Sequence, residues 1–470
     1  MTVLTAKFKV PSLFQFMFLS ILFSFFLIGC GGDSSSGTST TSSSVYTISF
    51  YDENLDFAEN KSVNTGNITL ADIKDGVWYK AGEDNSLTTY ELNSDIRLYA
   101  VSNVIEITTQ EELASINTDS DTLSGKYILL NDIDLNETKA GFEGDKGWNP
   151  IGYFEYNPFI GIFNGNFHKI TNLWINRPSK SYIGFFGYVE GGNIRNLGIK
   201  IAEGKEVRGQ SNVGGIAGMA KFDNGNVDYK PVIIINSYVV GNVNGDGKVG
   251  GIAGTLYEET IEDDENCIYS AYIINSYFVG NVIGRGEGIG GIAGMNNGNI
   301  SSAYTIGNIS NVEDWVGGIT GISYVGSVTN SYSLANISGD NVVGGITGFA
   351  YLASVFQYNV AINPFVGGIQ RVNRIAGDIS SDIGKFSDNF AFDNMGIIPT
   401  GINDNEDIGY DGYNGISKTL TELQTKETYS NSTLDGGLGW KFGNDNNNPW
   451  VWGVFDDYPY PTFYWQSERP

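Results

Sequence analysis

The sequence predicts an all-β fold: a parallel β-helix, or β-solenoid, of about 27-residue coils with short capping helices, preceded by a small β-rich module. Two repeating markers predict it. The first is a hexapeptide that begins as Ile-Gly-Phe-Phe-Gly-Tyr at 183 and continues as Val213-Gly214-Gly215-Ile216-Ala-Gly218. It recurs as Val249-Gly250-Gly251-Ile252-Ala-Gly254, Ile289-Gly290-Gly291-Ile292-Ala-Gly294, Val316-Gly317-Gly318-Ile319-Thr-Gly321 and Val343-Gly344-Gly345-Ile346-Thr-Gly348. Val366-Gly-Gly-Ile-Gln-Arg371 reads as a frayed last copy, and from 213 the steps are 36, 40, 27, 27 and 23 residues. Repeats of roughly 20–50 residues indicate stacked units, not one globular core.

The second marker is Asn-Ser-Tyr at 236–238, 275–277 and 330–332, with Ser-Ala-Tyr at 302–304 and a worn Phe-Gln-Tyr at 356–358. An aliphatic follows each Tyr by two: Val240, Val279, Ile306, Leu334, Val360. In a strand, i and i+2 share a face. The constant Tyr and aliphatic are therefore expected inward, and the variable Val239, Phe278, Thr305, Ser333 and Asn359 outward. Asn242, Asn281, Asn308 and Asn336 reach one equivalent point, where amides can bond from coil to coil. In Val-Gly-Gly-Ile the two aliphatics are three apart, so the Gly pair is expected to bend the chain and turn both inward. Each coil then holds two short strands. Helical i, i+3, i+4 spacing is not sustained.

Residues 1–29 have the form of an export signal. Lys7 and Lys9 precede an apolar run, Leu13 to Ile28, that ends Leu27-Ile28-Gly29-Cys30 and matches the bacterial lipobox. The match implies cleavage before Cys30 and lipid on it, hence membrane attachment through the N-terminus. Gly31, in place of Asp, points to the outer membrane, with surface exposure expected and a periplasmic face as the alternative. Residues 30–44 form a Gly/Ser/Thr tether. Residues 45–101 form the small module, opened by Val45–Phe50 and closed by Ile96–Val101, with Gly76-Val-Trp-Tyr79 between. It weakly resembles the Listeria–Bacteroides-type β-grasp repeat, which ends similarly in Leu-Tyr-Ala.

The β-helix is placed at 102–417. Thr109-Gln-Glu-Glu112 is a capping-box pattern before Leu113 and Ile116, so a short helix is expected over the open end of the first coil. Lys126–Leu130 and Asp132–Leu135 read as that coil. Two units carry insertions, one at 221–230 and one that includes Glu258, Glu259, Glu262, Asp263, Asp264 and Glu265. A solvated acidic loop is the plain reading, and calcium is the one cofactor this spacing admits, though it matches no ordered calcium loop. Residues 372–417 lose the period. In 418–470 a helix is expected over Lys418–Glu427, with Thr421 and Gln424 in capping-box register. The aromatic tail (Trp440, Trp450, Trp452, Tyr458, Tyr460, Phe463, Tyr464, Trp465) is expected to plug the last coil. Alternatively it forms an exposed patch that stacks on sugar rings.

Phe159-x-Gly161-x-Phe163-x-Gly165-Asn166-x-His168-x-Ile170-x-Asn172-Leu173, followed by Tyr182-Ile-Gly-Phe-Phe-Gly187 and the Gly-Gly-Ile-x-Gly units, resembles the GLUG-motif repeat proteins of bacterial surfaces. The resemblance covers about residues 105–465. It implies a β-helix on a secreted or surface protein, with adhesion as the expected role. Some members carry a protease domain, and no such domain is visible here.

Gly is 62 of 470 residues, about twice the usual ~7%. The formal net charge of −26 repels nucleic acid and anionic membrane surface. Two Cys, Cys30 and Cys267, are too few for a disulfide framework. His168 is the one histidine, so a two-histidine zinc site cannot form and any triad would have to use it. No nucleophile motif surrounds a Ser, and no Gly-Lys-Ser/Thr follows the Gly pairs. His168 reads as a turn residue. The expectation is a non-catalytic surface protein that binds host, matrix or glycan. The alternatives are a polysaccharide lyase or hydrolase using a carboxylate pair, or a passive envelope component.

Overall fold

The computed structural model describes residues 44–117, 119–154, 156–223, 230–258, 271–380, 385–398 and 412–470. The predicted signal, Cys30, Cys267 and the acidic residues Glu259, Glu262, Asp263, Asp264 and Glu265 lie outside the described residues; Glu258 lies within them.

Parallel coils stack into a β-solenoid with three faces. Among the described residues these are parallel sheets of 23, 7 and 6 strands. Each coil therefore crosses three sheets, where the sequence suggested two strands. In the coil from 211, Ser211–Gly214 lies in the six-stranded sheet and Ala217–Lys221 in the seven-stranded one. Val232–Ile235 and Tyr238–Asn244 then enter the large sheet.

The hexapeptides stack in register, Val213 on Val249, Ile289, Val316 and Val343. The chain breaks strand between the two aliphatics, and both columns are fully buried, as expected. The glycines do so for a different reason from the one the sequence suggested. None of the paired motif glycines has positive φ. They are small because neighbouring coils, and facing strands within one coil, approach closely. A Cβ on Gly214 would lie 2.6 Å from Ala253 Cα in the next coil, and one on Gly251 would lie 2.2 Å from Phe278 Cγ. Left-handed backbone falls instead on corner residues such as Asn212, Asn236 and Asn275, where a short amide side chain tolerates it.

Two worn repeats were misaligned by sequence. Val366-Gly367 lies in the large sheet beside Ile337-Ser338. Val372-Asn373 is the partner of Val343-Gly344, so Asn373 and Arg374 stand where inner coils have Gly. Their strand ends the six-stranded sheet among the described residues; the segment Tyr413–Gly415 packs next, its Tyr413 carbonyl accepting from the Ile375 amide and Asn414 Oδ1 from the Arg374 amide. The described residues of 372–417 thus continue the solenoid. Ala376–Ile379, Lys385–Ser387, Phe390–Phe392 and Gly396–Ile398 pair with the coil before. Likewise Tyr358 occupies the left-handed corner position of Asn330, and Val360 takes the place of Tyr332.

The largest correction concerns direction. The variable residues Val239 and Phe278 lie in the interior core, and Thr305 and Ser333 are fully buried with them. Asn359 is fully buried as well. The tyrosines point outward, into a second cluster made with the C-terminal segment. The second Gly of each hexapeptide explains the variation. Its missing side chain would meet Val239, Phe278, Thr305 or Ser333 at positions 215, 251, 291 and 318. Each coil fills this shared space in its own way.

At the N-terminal end Thr109 and Glu112 form the expected capping box on helix Gln110–Ser115, and Leu113 and Ile116 are buried in the core. Val104–Ile107 and Lys126–Leu129 begin the large sheet. In the module, Val45–Tyr51 pairs antiparallel with Phe57–Asn64 and parallel with Ile96–Tyr99. Trp78 meets Phe50 edge-on at 4.7 Å. The module packs on the solenoid through Arg195, which binds Asp56 at 2.7 Å, while Asn196 donates to the same carboxylate at 2.7 Å. No helix among the described residues is long and apolar enough to cross a membrane.

Candidate functional site

The C-terminal segment does not plug the last coil. It runs as a strap along the outer face of the large sheet. Its first helix is capped by Thr419 with Glu422, not by Thr421 with Gln424. It spans only Leu420–Leu423 before a second, Lys426–Ser430. Beyond these helices the strap covers a tyrosine ladder. Tyr238, Tyr277, Tyr304 and Tyr332 stack face to face at 4.9, 4.8 and 4.9 Å, their rings nearly parallel because parallel register repeats one side-chain orientation. Trp465 stacks on Tyr277, Phe463 on Tyr304, and Trp440 on Tyr332. The buried phenols find strap acceptors: Tyr304 donates to Gln466 Oε1 at 2.7 Å and Tyr332 to the Pro461 carbonyl at 2.6 Å. Burial pushes both phenols well above their ordinary pKa.

Beside the ladder runs the left-handed corner column Asn236, Asn275, Ser302, Asn330, Tyr358, with φ between 49° and 59°. Its first amides bond along the stack. Asn196 donates to Asn164 at 3.2 Å, Asn236 to Asn196 at 2.9 Å and Asn275 to Asn236 at 3.3 Å. A second ladder, the expected one, joins Asn336, Asn308, Asn281 and Asn242 at 3.2, 2.8 and 2.8 Å.

The strap touches the corner column at two points. Asn446 accepts from Asn236 at 2.8 Å through its side chain and from Asn275 at 3.2 Å through its carbonyl. Further along, Trp440 Nε1 donates to the Tyr358 carbonyl at 2.9 Å. Asp445 holds the intervening loop. Burial works to raise its pKa, but hydrogen bonds from Asn448 and Asn447 outweigh this and hold the carboxyl low.

Between these attachments lies a groove of about 600 Å³, within the usual range of ligand sites, ~300–1,000 Å³. One wall is Asn275, Ser301, Ser302 and Asn330; the other includes Leu438, Trp440, Lys441, Asn447 and Trp450. Among the described residues, the side chains of Ser302 and Asn330 have no hydrogen-bond partner. Lys441 pairs with no carboxylate there. The lining contains no Asp, Glu, His or Cys. Sequence reasoning missed this site because the Asn-Ser-Tyr repeat was read as packing, and the strap partner lies more than 100 residues away.

The residues nominated from sequence do not converge on a reactive centre. The hexapeptide columns line the core. His168 Nδ1 sits 3.2 Å from Asp132 Oδ1 at an exposed corner. Among the described residues no group of three or more His, Cys, Asp or Glu side chains is placed to hold a metal ion.

The chain is thus a parallel β-solenoid, with a lateral strap over its large sheet. A crystal structure from Bacteroides ovatus, described as a candidate immunoglobulin A1 protease, is similar to it, with a TM-score of 0.52 at 24% identity over 78% of this chain and 94% of that one. That likeness shows the fold. In sequence the chain is similar to halomucin of Haloquadratum walsbyi, 28% identical over 153 residues, or 32% of this chain and 2% of that protein. It is also similar to a candidate Gly-rich membrane protein of Evansella cellulosilytica, 45% identical over 74 residues, or 16% of this chain and 8% of that protein. The chain thus spans a small fraction of either relative. No family model matches it.

Proposed function

We propose that this chain is a cell-envelope protein, lipid-anchored through Cys30 and displayed at the outer surface, that binds a ligand in the strap groove and acts in adhesion without turnover. The groove carries the reading: two adjacent coils present unpartnered polar side chains to a cavity of ligand size. A lining without Asp, Glu, His or Cys supports binding over catalysis, because acid–base chemistry needs titratable groups held together. The Gly-rich relative, named as a membrane protein, supports the envelope location. So does the lipobox.

Glycan arrays and binding to host cells and matrix with the purified mature chain test the function. Saturable binding that Asn330→Gly weakens is expected; an inert chain, or binding indifferent to the groove, overturns it. Incubation with polysaccharides and with immunoglobulin A1 should release no product. Mass spectrometry of the mature N-terminus tests the anchor. A lipidated Cys30 is expected, and Cys30→Ser should leave an unmodified precursor.

A further inference from the structure

We propose that the strap groove recognises a uronate-bearing oligosaccharide, with Lys441 as the carboxylate partner; the proposal rests on the groove-binding reading above. The walls favour a saccharide. Ser302 and Asn330 occupy the same corner position on adjacent coils, and neighbouring parallel strands lie about 4.8 Å apart. A hydroxyl and an amide each donate and accept hydrogen bonds, as a sugar hydroxyl does. Opposite them, Leu438, Trp440 and Pro449 line the groove; all three are buried, so they form a fixed apolar floor and not an open stacking platform.

An extended peptide fits less well. Peptides add to sheets through unpaired strand edges, and the strands beneath this groove are already paired on both sides, as Ala271–Ile283 and Asn299–Ser310 show. The corner amide of Asn330 is likewise occupied by the Gln357 carbonyl.

Charge selects among saccharides. In a chain of net charge −26 this lining holds one lysine and no carboxylate. The nearby carboxylates are engaged within the strap, Asp445 by Asn447 and Asn448 and Asp435 by Ser432, and those beyond about 8 Å are screened at physiological salt. Lys441 is exposed and can swing its ammonium to a ligand carboxylate without breaking a protein ion pair.

Calorimetric titration of the full chain with tetragalacturonate and with a neutral galactose tetrasaccharide tests this. Wild type should bind the uronate about tenfold more tightly, the worth of one charged hydrogen bond. Lys441→Gln should erase that preference and Lys441→Arg retain most of it. Asn330→Gly and Ser302→Gly, which keep the left-handed corner, should weaken both sugars alike while melting at the wild-type temperature. Equal affinity for the two sugars, or uronate binding indifferent to Lys441→Gln, overturns the proposal. Binding of cells or matrix that neither sugar competes overturns it too and leaves the binding function standing. A chain that binds nothing overturns both.

Discussion

The two faces of the large sheet between Tyr238 and Tyr332 are both packed against other side chains, yet only one is uniform. The outer face repeats tyrosine on four successive coils. The inner face changes at every step: Val239, Phe278, Thr305, Ser333. In this pair of columns it is therefore the invariant residue that faces outward, unlike the hexapeptide, whose invariant Val and Ile face the core. Each interior position trades volume with the glycine opposite it in the same coil, so a coil can settle its own packing. The outer ladder has no such freedom. One strap seals all its rungs, so every rung must offer the same ring at the same height.

Thr305→Asp should separate the two faces most strongly. Thr305 is fully buried, so an unpaired carboxylate there should cost about 3–5 kcal/mol, on the scale of Ile319→Asp. Thermal and denaturant melts of the two variants should shift together. A near-silent Thr305→Asp would return that column to the surface.

Tyr304→Ala probes the outer face. It removes a ring stacked between Tyr277 and Tyr332 beneath Phe463, and should cost about 3 kcal/mol. Exchange of strap amides should rise more than exchange in the six-stranded sheet. Uniform loss of protection would contradict a separately held strap.

The ladder should also make the protein sensitive to alkali. Burial raises the Tyr304 and Tyr332 pKa values above the ordinary ~10. The folded state then holds these protons more tightly than the unfolded chain. Their contribution is complete below pH ~10 and erodes as pH climbs past it toward the native values. Denaturant midpoints measured from about pH 8 to about 11 should stay level and then fall, with the fall reduced in Tyr304→Phe.

The smallest effect has the opposite sign. Thr305 Oγ1 is buried without a partner, so Thr305→Val should be neutral or stabilise by up to about 1 kcal/mol. A clear loss would mean that the hydroxyl is satisfied.

Much of the solenoid was legible in sequence. Repeat spacing identified the stacked coils, the Val and Ile columns were correctly turned inward, and Thr109 with Glu112 marked the first cap. Orientation of the tyrosines was not legible. Alternation says which residues share a face but not which face is inside, and the strap that decides it is remote in sequence. Register failed at 366 for a related reason. Val366-Gly-Gly-Ile copies the letters of the motif, whereas Val372-Asn-Arg-Ile holds its place. Where the six-stranded sheet ends, Arg374 fills the place of a stacked glycine by bonding Asn414, Gly415 and Ser417. The groove was illegible because Lys441 and Asn330 meet only once the strap has folded back.

The strap sets an order of assembly. Coils can add one upon another through neighbour contacts as the chain emerges, but residues 418–470 are made after every rung they cover. Until then four tyrosines face water along one side of a stack whose interior is already closed. Docking the strap joins partners such as Tyr304 and Gln466, 162 residues apart, and contacts so distant form slowly. Residues 418–470 are therefore expected to dock after the coils they cover have formed. A chain cut short before 418 would keep its coils but carry a bare aromatic stripe, open to other chains. Pulse-labelled amide exchange during refolding should show the coil strands protected before Trp450 and Phe463.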